Sequence, residues 1–213
     1  ICVLVIILLL VTKVDEPKPE NKSTSLKASF SLSRDVTVLF LFLGIMAHVG
    51  LDVGLNTTAP KLLIERLNIP LADAGYATSF YFIFRTVGCL LGSAILAKFS
   101  GRNVFIVSVL MILVGVLTMF TADKTIIYVG IALFGLGNAN IFSVMFSQAL
   151  VCQPKYNNEV SGLMIMGVFG GAVFPLIMGV MSDTMGGQVG AVIVLLALVT
   201  YLILGVFPKI KQA

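Results

Sequence analysis

The one histidine of the chain, His48, and an aspartate four residues on, Asp52, stand in the run from Val36 to Thr58, which is otherwise without an ionisable side chain. On a helix, Gly44, His48, Asp52 and Asn56 fall one turn apart and form a slowly drifting stripe. A charged group at the centre of a bilayer costs roughly 2.5 to 3.5 kcal/mol on insertion scales, and such groups usually face a bundle interior or a wetted cavity. Either side chain could change protonation there. The stripe therefore reads as the wall of a solute path, or as a hydrogen-bonded brace between helices.

Three further segments stand out, two with polar groups and one with small residues at four-residue spacing. Tyr81 and Arg85 share a face, with Arg85 too deep in its apolar run to reach an interface easily. Arg85 could contact a substrate directly or form an interhelix ion pair with Asp52. Asn138, Asn140 and Ser143 supply amides and a hydroxyl that both donate and accept, which suits neutral polyols. The same groups join membrane helices for about 0.6 to 2 kcal/mol, and that reading is the stronger one here. Gly167, Gly171, Pro175 and Gly179 repeat every four residues, with Gly170 beside them, as expected of a close-packed helix face or a hinge.

The elements that must position these groups are membrane helices. The chain of 213 residues is 58% hydrophobic and 11% charged, with a mean hydropathy of +1.06; soluble domains carry about 25% charge. Long apolar runs predict six spans, near 36–56 (with a helical pattern that can run on past Pro60, kink there or restart), 74–97, 103–122, 126–151, 160–181 and 187–207. No alternating strand pattern recurs. The expected class is an all-α integral membrane protein of six transmembrane helices, arranged as two inverted three-helix repeats. Residues 1–12 read as the end of a preceding helix, 13–35 as a polar cytoplasmic loop, 36–208 as the six-helix bundle and 209–213 as a cytoplasmic tail. On alternate sides of the bundle lie ten basic residues against three, which places the loop and the C-terminus in the cytoplasm of an inner-membrane protein.

Several functions are disfavoured. The net charge of +4 is spread over short loops without a basic stripe, so no nucleic-acid partner is expected. Cys2, Cys89 and Cys152 lie far apart and show no metal-binding spacing. One histidine and scattered cysteines give no nucleophile and base pair, so neither an enzyme nor a cofactor or metal is expected.

The stretches His48-Val49-Gly50-Leu51-Asp52, Ala97-Lys98-Phe99, Asn140-Ile141-Phe142-Ser143 and Gly170-Gly171-Ala172-Val173-Phe174-Pro175-Leu176-Ile177-Met178-Gly179-Val180-Met181-Ser182-Asp183 resemble the C-terminal half of the fucose permease and glucose/galactose transporter group of the major facilitator superfamily. In that group Tyr is common where this chain has His48, and Glu or Gln where it has Asp52. The group's second-span arginine matches Cys89, one turn from Arg85; the position of Asn140 is usually Thr after Pro. The resemblance implies a cation- or proton-coupled sugar symporter that works by alternating access, with a monosaccharide substrate, a missing N-terminal six-helix half and a lipid bilayer as partners. His48, Asp52, Asn56, Tyr81, Arg85, Asn138, Asn140 and Ser143 would bind substrate, and Asp52 and His48 would be the groups able to titrate. A carrier of an organic anion or drug, or a membrane assembly subunit that does not transport, remains the alternative.

Overall fold

The computed structural model describes residues 31–210. The expected helix end at 1–12, nearly all of the loop at 13–35 and the last tail residues lie outside them. Within this range α1 spans Val36–Leu67, α2 Leu71–Ala74, α3 Tyr76–Leu96, α4 Gly101–Thr118, α5 Lys124–Asn138, α6 Ile141–Cys152, α7 Asn157–Met166, α8 Gly170–Met185 and α9 Val189–Tyr201. These make six spans long and apolar enough to cross a membrane, with α2–α3, α5–α6 and α7–α8 each forming one and the sixth running from α9 through further helical turns to Lys209. No strand occurs among the described residues.

The helix boundaries follow from local chemistry. Asp35 caps α1, accepting from the backbone N–H of Thr37 at 2.8 Å, and its other oxygen accepts from Gln153 Nε2 at 2.8 Å. This ties the start of the first span to the end of the fourth. Ser100 and Asp123 cap α4 and α5 in the same way. At the other ends, Asn68 and Gly186 stop α1 and α8 in the left-handed conformation, with φ of 50° and 67°.

The first span is longer than the apolar run suggests. It passes Pro60 without interruption and reaches Leu67, a length of about 48 Å at 1.5 Å per residue against a hydrocarbon core of about 30 Å. Pro60 leaves the carbonyl of Asn56 without its helical donor, and the chain tolerates this one loss. The fifth span changes geometry at a 3-10 turn over Gly167–Phe169, whereas Pro175 lies inside α8. The fourth span breaks at Ala139 and Asn140, between α5 and α6.

Helix contacts follow an exchange pattern. The first span packs on the fifth and sixth, and the fourth packs on the second and third. Swapping spans one, two and three with four, five and six maps one set onto the other. That is the arrangement expected of two three-helix units of opposite direction. Close approach is made where side chains vanish: a Cβ on Gly88 would lie 2.8 Å from Ala139 Cβ and 2.9 Å from the Leu136 carbonyl. On the other side of the bundle, Gly170 presses on the carbonyl of Met46.

Consecutive residues near the end of α1 clasp the rim. Arg66 Nη1 donates to the carbonyls of Met119 at 3.0 Å and Thr121 at 3.1 Å, where the third span ends. Glu65 Oε2 accepts from the backbone N–H of Gln188 at 2.9 Å, where the sixth span begins. The cation thus meets the negative end of one helix and the carboxylate the positive end of another.

Candidate functional site

Asp52 lies midway along α1, on the face turned to the second span. Its carboxylate receives Arg85 Nη1 at 2.8 Å on Oδ1 and 2.6 Å on Oδ2. The Tyr81 hydroxyl, one helical turn before Arg85, donates to the same Oδ1. Asn138, at the last position of α5, donates through Nδ2 to the Tyr81 oxygen at 2.8 Å. A continuous chain of hydrogen bonds therefore runs from the fourth span through the second to the first. The Arg85 and Asp52 side chains keep 28% and 17% of their exposure, while Tyr81 and Asn138 are buried. The ion pair is the accessible edge of an otherwise enclosed network.

Local packing holds this geometry. Ring centroids of Tyr81 and Phe134 are 6.1 Å apart at an interplanar angle of 65°, an edge-to-face contact that fixes the phenol. Gly135 brings the fourth span onto the second, since a Cβ there would lie 2.7 Å from the Tyr81 carbonyl. The helix break at Ala139 and Asn140 follows Asn138 directly, so its amide projects from a helix end.

Three buried polar atoms around the network lack a hydrogen-bond partner: His48 Nδ1, Asn56 Oδ1 and Asn138 Oδ1. His48 sits one turn before Asp52, buried, with its ring 6.3 Å from that of Phe142. Asn56, one turn after Asp52, donates through Nδ2 to the Asp52 carbonyl at 2.8 Å. An unsatisfied buried polar group costs about 1 to 3 kcal/mol, and two of the three, on His48 and Asn138, belong to side chains close enough to bond to each other.

The structure brings six of the eight candidate residues to this region: Asp52, Tyr81, Arg85 and Asn138 in direct contact, His48 and Asn56 flanking them on the stripe. Asn140 and Ser143 lie elsewhere. Asn140 Nδ2 donates to the Gly88 carbonyl at 3.0 Å and packs over Gly92, joining the second and fourth spans. Ser143 lines a separate cavity of about 360 Å³ with Leu96, Gly101, Ser147 and Gln148. Of the small residues in the fifth span, Gly167, Gly170 and Gly171 pack on α1. No group of His, Cys, Asp and Glu able to hold a metal occurs among the described residues.

Comparison with known proteins supplies the family. The Major Facilitator Superfamily pattern matches residues 1–169. The chain belongs to the Major Facilitator Superfamily. Two solved structures of the superfamily transporter FucP share its fold. One, in the outward conformation, superposes with a TM-score of 0.82 at 18% identity, over 99% of this chain and 52% of that one. The other, of the E. coli fucose:proton symporter, gives 0.79 at 16% identity over 99% and 53%.

Among curated superfamily relatives, a provisionally assigned glucose/galactose transporter of Helicobacter pylori (strain J99) is 26% identical over 180 residues, covering 84% of this chain and 44% of its own. A glucose/galactose transporter of Brucella abortus is 26% identical over 151 residues, covering 68% and 35%. The chain spans about half the length of the proteins it matches, or less. These proteins are transporters, so the fold and the class of non-covalent chemistry agree.

Sequence reasoning missed the helix-end roles of Glu65 and Arg66. Both lie just beyond the apolar run, where charges are ordinary. The available signal was their adjacency at the end of an overlong helix, with opposite signs.

Proposed function

We propose that the chain is the C-terminal half of a sugar symporter, coupled to protons or another cation, and that His48, Asp52, Asn56, Tyr81, Arg85 and Asn138 form its side of the solute site. The observation that carries this reading is the partly open Asp52–Arg85 pair at mid-span. A sugar hydroxyl can donate to an amide oxygen and accept from a guanidinium in the same bound pose. Arg85 is a donor at the exposed edge, and Asn138, buried, acts through its bond to Tyr81. Arg85 is already neutralised by Asp52, which favours a neutral solute over an organic anion. The names of the relatives, glucose/galactose transporters and a fucose:proton symporter, point the same way.

In this reading solute binding opens the Asp52–Arg85 pair. A hydroxyl that takes over the contact with Arg85 frees the Asp52 carboxylate, and Asp52 and His48 are the groups of this half able to exchange a proton. A second six-helix half completes the site, since alternating access needs two bundles that rock about one centre. Asn140 and Ser143 act away from the ion pair, Asn140 as a helix joint and Ser143 in the neighbouring cavity. The segment 13–35 and the C-terminus face the cytoplasm at the inner membrane.

Counterflow of labelled glucose, galactose and fucose in proteoliposomes tests this. The complete transporter should exchange at least one of them, organic anions should not compete, and Asp52→Asn should abolish coupled accumulation. The 213-residue chain alone should not accumulate sugar. Uptake of none of the three, or competition by anions alone, would overturn the sugar assignment.

A further inference from the structure

A second polar cavity, of about 190 Å³, lies toward the Arg66 end of the bundle, between the first and fifth spans and the start of the sixth. Its walls include Thr57 and Lys61 of α1, Gly179, Ser182 and Asp183 of α8, and Gln188 before α9. It differs in kind from the largest crevice described, about 390 Å³ between the second and third spans, which is walled mainly by side chains such as Leu91, Val107 and Met111. That crevice suits lipid or nonspecific packing. The smaller cavity presents hydrogen-bonding groups from three elements.

Gly179 separates this cavity from ordinary helix packing. Gly167 and Gly170, on the same helical span, are pressed against α1, whereas a Cβ on Gly179 would meet nothing within 4 Å. Glycine there makes no helix contact and leaves that wall open, with Lys61, Gly179 and Asp183 all exposed. Lys61 and Asp183 both line the cavity, and neither is in an ion pair among the described residues. One cation and one anion leave the lining electrically balanced. A net-charged ligand would satisfy one and oppose the other. Ammonium and carboxylate heads together with hydroxyls and an amide match a molecule that both donates and accepts at several points, which is the chemistry of a neutral polyol.

The cavity is not an extension of the Asp52 site. Nine residues separate Asp52 from Lys61 on α1, which is about 13 Å along the axis and roughly half a turn around it. Lys61 therefore faces the fifth span, where Asp52 faces the second.

We propose that this cavity is a second, peripheral binding site for the same class of neutral polyhydroxylated solute, held between Lys61 and Thr57 on one wall and Asp183, Ser182 and Gln188 on the other. It rests on the reading of the chain as half of a sugar transporter. Bound solute would brace the part of α8 beyond Pro175 against α1.

The test is equilibrium binding of glucose and galactose to the full-length transporter in detergent. Two binding steps are expected in the parent protein. Gly179→Phe, which fills the open wall, should weaken one step by about tenfold or more, in line with the loss of one or two hydrogen bonds, and leave the other intact. Lys61→Gln with Asp183→Asn should do the same without added bulk, and the retained step shows that each variant is folded. Asp52→Asn should remove the other step. A single step in the parent that Asp52→Asn abolishes, or two steps that both survive Gly179→Phe and the double variant, would overturn the second site and leave the transport reading standing. Displacement at the Gly179-dependent step by an α-amino acid in preference to sugar would overturn the solute class. The absence of any sugar step would overturn the transport reading itself, and this proposal with it.

Discussion

Asp52 and Glu65 are both carboxylates on α1, and each has an arginine close by in space or in sequence, Arg85 and Arg66. At mid-span, Asp52 meets Arg85 directly at 2.6 Å, and three neighbouring polar atoms are left without partners. At the rim, Glu65 and Arg66 turn instead to the ends of two other helices. The rim charges complete the hydrogen bonding that helix termini leave open. The central charges do not: they are paired with each other across two spans. The rim charges join helix ends to one another, and the central pair joins helix middles and stays partly open.

The comparison is most severely tested by removing one central charge. Asp52→Asn or Arg85→Gln alone leaves its partner uncompensated in a low-dielectric setting, which should lower stability by about 2 kcal/mol, discounted from the fully buried case because the pair is partly exposed. The double variant Asp52→Asn with Arg85→Gln should regain much of that stability but no transport. Thermal unfolding in nanodiscs alongside counterflow separates the two effects; restored transport in the double variant would reduce the pair to a brace.

Gly135→Ala attacks the centre through the backbone. The new Cβ would lie 2.7 Å from the Tyr81 carbonyl, so the second and fourth spans must part. A loss of about 1 to 3 kcal/mol is expected, together with weaker sugar binding as Tyr81 moves from Asn138. Binding that stays unchanged in a destabilised variant would show that the Tyr81–Asn138 link is not part of the site.

Tyr81→Phe removes only the hydroxyl that joins Asp52 to Asn138. The cost to stability should be about 1 kcal/mol, with sugar affinity reduced more than the maximal transport rate. The smallest effect belongs to the rim. Glu65→Gln and Arg66→Gln should each cost about 0.3 to 1 kcal/mol and leave sugar affinity as it was. A rim variant that altered affinity as strongly as Tyr81→Phe would erase the distinction between the two regions.

Much of the fold was legible in the sequence because membrane burial writes itself into composition. Six apolar runs, short loops and basic residues on alternate sides require no tertiary knowledge. The candidate site was legible as well, in the four-residue spacing of His48, Asp52 and Asn56 and in the depth of Arg85. The limits of elements were read less well. The sequence leaves the first span's continuation past Pro60 open, since proline is a strong breaking signal taken alone; in the structure α1 continues to Leu67. The break at Ala139 and Asn140 falls in Gly135-Leu136-Gly137-Asn138-Ala139-Asn140, whose glycines and asparagines are the local signal for it.

The sequence by itself determined that six apolar runs between residues 31 and 210 can cross a membrane and that they carry ionisable groups where a bilayer would not tolerate them unpaired. That follows from local terms, hydrophobic length and helical period, which depend on neighbours along the chain. Only the tertiary structure decided that Arg85 and Tyr81 share the Asp52 carboxylate, that Asn140 joins helices while Asn138 completes the polar network, and that Glu65 and Arg66 hold the rim. Those outcomes depend on which helix faces lie together. Interhelix register is set by close backbone contacts such as Gly88 on Ala139 and Gly170 on Met46, which no spacing within a single helix encodes.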